Sequence, residues 1–226
     1  MKRELRITSD GSPTVFSERW NQHYHSVHGA FNESMHVFIS HGLKASPAQP
    51  IRILEFGMGT GINVWLTCKE AAHSQRVVYY DTLEAFPLGE DLWREIEIGE
   101  GDDQLLFEKI HELDWERENL LASSFTLRKM NADILSWQGE ANHYDVIYFD
   151  AFAPSTQAEL WTVEVFEMCF RVLKPGGFLV TYCAQGQVKR NMKAAGLEVK
   201  ALPGPPMKRQ MTRATKPIQS KEQATS

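Results

Sequence analysis

A mostly parallel, doubly wound α/β sheet is the fold that this 226-residue sequence predicts, on three observations. From about residue 50 onward, short apolar runs of strand type alternate with longer stretches of helical spacing. One such run, IRILEFGMGTG (51–61), ends in a glycine turn and passes directly into a helical stretch, INVWLTCKEAA. Later, LKPGG (173–177) joins a helix end, a proline stop and a glycine turn that leads into a further strand. Repeated β-then-α units pair their strands in parallel and cover both faces of the sheet with helices.

Taken in order, ELRIT and PTVFSE are alternating runs on either side of Asp10 and Gly11 and predict a β-hairpin. Phe31, Met35, Phe38 and Ile39 recur at helical spacing and predict a helix within residues 23–43. Residues 44–50 hold two prolines and read as a linker. Strands are expected at 51–56, 77–83, 125–131, 145–149, 177–182 and 198–201, with helices at 61–72, near 91–110, at 159–173 and at 187–195. RQMTRATK (209–216) is a candidate last strand, antiparallel to the others. The expected organisation is an N-terminal hairpin and helix extension (1–49), a main domain (50–216) and a short tail (217–226).

Composition narrows the function. Apolar residues make up 42% of the chain, enough for a buried core. No run approaches the ~20 apolar residues that span a bilayer. The basic residues near the N-terminus are not followed by an apolar segment, so a signal peptide is not expected. Cys68, Cys169 and Cys183 are too few and too scattered for a disulfide framework or a zinc site, which points to a reducing, cytoplasmic setting. A net charge of −5 argues mildly against a nucleic-acid coat, though a local basic patch escapes such a sum.

The glycine turn carries most of the chemistry. Gly57, Gly59 and Gly61 allow a tight turn against which a ligand can lie, and open α/β sheets bind ligands beyond the carboxyl ends of their strands. The spacing is G-x-G-x-G, not the G-x-G-x-x-G of dinucleotide folds. With Glu55 just before it, the turn suits S-adenosylmethionine better than NAD. Three further carboxylates fall at successive strand ends: Glu84, suited to ribose hydroxyls; Asp133, suited to an adenine amino group; and Asp150, beside the point where a transferred group would lie. Singly, each reads more readily as a helix cap or a solvated turn than as a site. Together with the glycine turn they read as one site.

Several other features have two readings. The histidines at 23, 25, 28, 36 and 41 lack Cys or carboxylate partners at ligand spacing, so no metal is expected. Phe152 and Pro154 either shape a wall for a nucleobase or pack as ordinary core. Trp20, Trp65, Trp93 and Trp161 read as packing residues. Lys208, Arg209, Arg213 and Lys216 form a basic run without acidic residues, which is either a solvated face or a phosphate-binding surface.

FDAFAPSTQAELW (149–161), LKPGGFLVTYCAQGQVKRNMKAAG (173–196), LPGPPMKRQMTRA (202–214) and the opening TSDGSPTVFSERWNQHYHSVHGAFNESMHVFI (8–39) resemble the methyltransferase domain of MnmC and its stand-alone relatives, often called MnmD. The resemblance covers nearly the whole chain. It implies a class I S-adenosylmethionine-dependent methyltransferase, a Rossmann-like fold, with S-adenosylmethionine as cofactor and tRNA as substrate. The implied reaction methylates the amine of 5-aminomethyl-2-thiouridine at wobble position 34, giving 5-methylaminomethyl-2-thiouridine.

By motif match, Gly57, Gly59, Gly61, Glu84 and Asp133 fall on cofactor positions and Asp150 on the catalytic aspartate. His25, in the family's YHS pattern, falls on a lid over the site. The chain departs from the family at Met207, Gln210 and Ala158, where relatives often carry Gly, Glu and Pro. No second glycine fingerprint follows, so the flavin oxidase that MnmC joins to this domain is not expected, and separate enzymes would supply the aminomethyl nucleoside. Two rivals remain at this point. One is an aminopropyltransferase of the spermidine synthase type, recognised by activity with decarboxylated S-adenosylmethionine. The other is a non-catalytic tRNA-binding module, against which the full set of carboxylates argues.

Overall fold

The structure is a computed structural model that describes residues 2–8, 11–24 and 29–218. β1 (Arg3–Ile7), β2 (Pro13–Ser17) and β3 (Gln22–His23) form a small antiparallel sheet. α1 (Ala30–Ser34) continues as a π-helical turn, Met35–Ser40, and a 3-10 turn, Leu43–Ala45. The main region then runs β4 (Ile51–Phe56), α2 (Ile62–His73), β5 (Val78–Leu83), α3 (Glu90–Trp93), α4 (Asp102–Glu112), β6 (Glu118–Ala122), β7 (Phe125–Met130) and β8 (Tyr144–Phe149). It closes with α5 (Val163–Val172), β9 (Leu173–Thr181), α6 (Gly186–Ala194), β10 (Glu198–Pro203) and β11 (Gln210–Thr215).

These strands build an eight-stranded sheet in the order β10-β11-β9-β8-β4-β5-β7-β6. β4 pairs in parallel with β5 on one side and with β8 on the other. The chain therefore reverses its direction of winding beside β4, which opens a crevice at the carboxyl ends of β4 and β8. β11 lies antiparallel between β9 and β10, as expected for the last strand. That arrangement brings the 204–209 loop to the same edge of the sheet as the glycine turn.

Strand β4 shows why the sequence folds this way. Its side chains alternate between faces, yet nearly all are buried because helices cover both sides. Ile51 and Ile53 join one apolar cluster with Val64, Tyr80 and Tyr148. Leu54 and Phe56 join the other, with Phe149, Phe166 and Val188. Val15, Ala30, Val37 and Phe38 from the N-terminal stretch belong to the first cluster, so that stretch packs on the main sheet.

The structure departs from the sequence reading in four places. The expected helix near 91–110 is two helices, because Gly99 and Gly101 interrupt it, Gly101 with a φ of +57°. The helix expected from 159 is a 3-10 turn, Ala158–Trp161, separated from α5 by the extended Thr162. Helix α1 begins only at Ala30, and its π-helical continuation brings Val37, Phe38 and Ile39 into the core together. β6 was not anticipated: its alternation is masked by Leu120, which is exposed while Asn119 and Leu121 are buried. Asp10, half of the expected hairpin turn, lies outside the described residues.

Candidate active site

The glycine turn leaves β4 and crosses beneath β5 and β8. Gly57 has a φ of +87°, and a Cβ there would stand 3.1 Å from the carbonyl oxygen of Asp150. Gly59 has a φ of +54°, and a Cβ there would meet the Tyr24 ring at 3.1 Å. Both positions therefore favour glycine by backbone angle and by space. The turn's own N–H groups are largely used within the protein. Gly57 donates to the carbonyl of Leu83 at 2.9 Å, Gly61 donates to that of Met58 at 2.8 Å, and Gly59 donates to Glu84 Oε2 at 3.0 Å. The turn serves close approach of a ligand more than donation to it. Gly61 is thereby corrected: it heads α2 behind the turn, with His111 next to it.

A cleft opens above this turn. Gly57, Gly59, Glu84, Asp133, Asp150 and Phe152 all line it, so six of the candidate residues meet in one place. Glu84 is fixed from behind: its Oε2 accepts from Gly59 and its Oε1 from the Phe86 N–H at 2.8 Å. Each oxygen keeps a further lone pair, the arrangement that a vicinal diol requires. Asp133 is exposed at the opposite rim and accepts from the Leu135 N–H at 2.9 Å.

Arg19, Trp20 and Tyr24 close the N-terminal side of the cleft. Trp20 is thus corrected from a packing residue to a wall residue. It lies 6.0 Å from the Phe152 ring, while Tyr24 meets that ring edge-on at 5.3 Å. Arg19 stacks over Trp20 and over Phe86. The sequence offered no periodicity or motif that could single out these three residues.

Asp150 follows β8 at the mouth of the cleft. Its segment is held by three side chains: Tyr182 donates to the Ala151 carbonyl at 2.9 Å, Trp161 Nε1 to the Phe152 carbonyl at 2.8 Å, and the Phe152 N–H donates to Gln157 Oε1 at 3.3 Å. Asn63 Nδ2 donates to Asp150 Oδ2 at 2.8 Å. Burial above all, and then the charge of Glu33, push the Asp150 carboxyl up to about 7; the Asn63 hydrogen bond and Lys208 oppose them. A carboxylate at that value changes protonation state near neutral pH, as a group that handles a proton must. Asn63, Glu33 and Tyr182 were invisible as site residues in the sequence, since nothing in their spacing ties them to Asp150.

Other expectations need correction. Glu55 is fully buried and bonds Thr82, so it does not line the cleft. Pro154 lies in the following turn and is also absent from the cleft wall. His25 lies outside the described residues. The basic run is not one surface. Lys208 pairs with Glu33 and sits 4.5 Å from the centroid of the Tyr182 ring. Arg213 is half-buried over Phe178 and donates to the His41 carbonyl at 2.7 Å. Lys216 is buried and donates to Asn142 and to the Leu173 carbonyl. Arg209 alone of these four is exposed. Met207, two residues before it, has a φ of +70°, a backbone angle that favours glycine.

A cradle that excludes Cβ atoms, a doubly anchored carboxylate facing the cleft and a second carboxylate at its rim fit an adenosyl group bearing a short zwitterionic tail. The sequence pattern of a family described as S-adenosyl-L-methionine-dependent methyltransferase matches residues 105–217, half of the chain. The chain belongs to this family. As a methyltransferase it uses S-adenosylmethionine as methyl donor, and the expected fold class and cofactor are both borne out.

Among relatives, the bifunctional protein MnmC of tRNA 5-methylaminomethyl-2-thiouridine biosynthesis from Delftia acidovorans is 29% identical over 92% of this chain and 34% of its own length. The protein of the same name from Cupriavidus metallidurans is 31% identical over 91% of this chain and 33% of its own length. This methyltransferase thus spans about a third of the length of the curated relatives it matches. The crystal structure of MNMC2 from Aquifex aeolicus superposes with a TM-score of 0.75 at 25% identity, covering 97% of this chain and 73% of that one. The resemblance to MnmC-type methyltransferases read from the sequence is therefore borne out. Spermidine synthase from Thermotoga maritima superposes with a TM-score of 0.60 over 97% of this chain and 81% of its own, and at 13% identity it shares the fold alone.

Proposed function

We propose that this methyltransferase methylates the amine of 5-aminomethyluridine, with or without the 2-thio group, at the wobble position of tRNA. The observation that carries the reading is Asp150: a carboxylate near neutrality, at the cleft mouth, beside the aromatic side chains of Phe152, Tyr24 and Trp20. Its support from outside the site is its likeness to the MnmC proteins of tRNA 5-methylaminomethyl-2-thiouridine biosynthesis.

When bound, the donor's sulfonium supplies an electrophilic methyl group to an in-line nucleophile. The protein's share is placement and charge. Glu84 and Asp133 would hold the adenosyl end, and Gly57 would leave room for the methionyl end beside the backbone. Asp150 accepts a hydrogen bond from the acceptor amine, aims its lone pair and stabilises the cationic nitrogen formed in transfer. With a pKa near 7 it can also take the departing proton. Phe152 offers a face on which an extruded uridine can stack. Other enzymes would supply the aminomethyl nucleoside, and a tRNA substrate would put the reaction in the cytoplasm. No helix among the described residues is long and apolar enough to cross a membrane.

The deciding experiment incubates the protein with labelled S-adenosylmethionine and tRNA from a strain lacking it, then analyses the nucleosides. Label in 5-methylaminomethyl(-2-thio)uridine is expected. Label elsewhere, or transfer only from decarboxylated donor, would overturn the reading.

The corrected basic run gives a second expectation. Arg209→Ala should lower the slope of tRNA affinity against salt by ~0.7–0.9, the loss of one phosphate contact. Lys208→Ala should instead alter the pH dependence of transfer, since it removes the partner of Glu33 and a cation near Asp150. Arg213→Ala should chiefly lower Tm. A salt series showing equal slopes for Arg209→Ala and wild type would remove Arg209 from the tRNA surface.

A further inference from the structure

Glu55 is fully buried, on the face of β4 that looks toward α2, and the cleft does not reach it. Its Oε2 accepts from Thr82 Oγ1 at 2.8 Å, but its Oε1 is buried with no partner. Asn63, 2% exposed in the first turn of α2, stands within hydrogen-bonding reach of Glu55. Asn63 spends its Nδ2 on Asp150, and its Oδ1 is likewise buried with no partner. Two neighbouring side chains thus present two buried acceptors, and such orphans are rare in folded proteins because each costs about as much as a lost hydrogen bond.

One proton on Glu55 Oε1 satisfies both atoms. We propose that Glu55 and Asn63 form a positioning relay, in which a neutral Glu55 donates to Asn63 Oδ1 and so aims Asn63 Nδ2 at Asp150. The relay keeps Asp150 ionised and oriented toward the acceptor amine, and it rests on the reading of Asp150 given above. The titratable groups facing Glu55 act in opposite senses. Asp150 adds a negative charge that raises the Glu55 carboxyl, whereas the Tyr80 hydroxyl from β5, itself buried without another partner, lowers it by hydrogen bonding, as do Thr82 and Asn63. Burial, the largest influence, prevails over these hydrogen bonds and pushes the Glu55 carboxyl up to about 8.

The amide of Asn63 gives the relay two arrangements of equal shape. With Glu55 neutral, Nδ2 serves Asp150. With Glu55 ionised, Nδ2 is drawn to Glu55 and Oδ1 turns toward Asp150, which then requires a proton itself. A single negative charge is shared by the two carboxyls, and the amide decides which one carries it. Methyl transfer needs the first arrangement.

The test uses the full chain. Infrared difference spectra of wild type against Glu55→Gln should show the carbonyl stretch of a neutral carboxylic acid at neutral pH, fading as the pH passes about 8. No such band at neutral pH would overturn the proposal. In kinetics, Glu55→Leu, which cannot donate, should lose ~tenfold or more in kcat, and Glu55→Gln, which can, should recover most of it. S-adenosylhomocysteine affinity should hold within about twofold in both variants, since the effect runs through Asp150. The ratio of wild-type to Glu55→Gln activity should fall above about pH 8, and protonation of the amine substrate cancels in that ratio. Equal kcat in Leu and Gln variants, or a ratio flat from about pH 6 to about pH 10, would overturn the relay. An active Asp150→Ala variant would overturn the reading of Asp150, whereas an absent infrared band with Asp150→Ala inactive would overturn the relay alone.

Discussion

Asp150→Ala should lose at least ~100-fold in kcat while S-adenosylmethionine affinity stays within about threefold. The asymmetry follows from placement. Asp150 lines the cleft bonded to Asn63, whereas Glu84 and Asp133 are the carboxylates that would meet the adenosyl end. Loss of kcat and affinity in proportion would make Asp150 a cofactor residue and end its catalytic assignment.

The same residue should lower stability while it serves catalysis. Its folded pKa of about 7 lies above the unfolded aspartate value, so the native state binds the extra proton. Stability from this group is fully present below the unfolded value, ~3.9, and is lost as pH rises toward about 7. Above that pH the desolvated charge is a constant cost. Asp150→Asn, which keeps the shape and removes the charge, should therefore raise Tm at pH 8 and make little difference at pH 4. Each kcal/mol recovered corresponds to ~2–4 °C in a chain of this size. Equal melting temperatures at pH 8 would mean that Asp150 is solvated well enough to ionise at no cost. An inactive variant that melts higher is the signature of a functional group held against its own preference.

What was legible in the sequence follows from how local each signal is. The parallel sheet, the glycine turn and the carboxylates at 84, 133 and 150 are all written in strand ends, where a continuous apolar run stops at a polar residue. The resemblance then gave the family before any geometry. The misses have a common cause. Trp20, Tyr24 and Arg19 reach the cleft because the N-terminal stretch folds back over the sheet, and no local pattern encodes that return. The basic run from Lys208 to Lys216 looked like one surface because charge is visible in sequence and burial is not. A strand alternates its faces and a loop can turn inward, so Lys208 pairs with Glu33, 175 positions away, and Arg213 turns toward His41. Glu55 misled in the opposite way. An acidic residue beside a glycine turn suggests a ligand, but the alternation of β4 puts Glu55 on the face covered by α2.

Glu84→Ala should weaken S-adenosylmethionine binding by at least ~tenfold, since hydrogen bonds to a charged group are worth ~1.5–3 kcal/mol each and two ribose contacts are at stake. A further loss comes from the protein itself. Glu84 Oε2 and Oε1 accept from the Gly59 and Phe86 N–H groups, so the carboxylate also ties the glycine turn to the chain after β5. For that reason Glu84→Gln should be nearly as damaging as Glu84→Ala. An amide has one acceptor oxygen, and its NH₂ would face one of the two backbone donors that the carboxylate now satisfies. Catalysis should suffer far less than binding: at saturating donor, kcat should stay within a fewfold, because Glu84 would hold the adenosyl end of the donor and Asp150 the acceptor amine. Calorimetric titration with S-adenosylhomocysteine separates the cases. If Glu84→Ala binds as tightly as the wild type, the ribose contact does not exist and Glu84 is a structural clamp for the turn. If Glu84→Gln binds as tightly while Glu84→Ala does not, one acceptor is enough and the clamp is dispensable. Parallel losses in both variants, with kcat retained, are the result expected of a carboxylate that holds the turn with one pair of lone pairs and the ribose with the other.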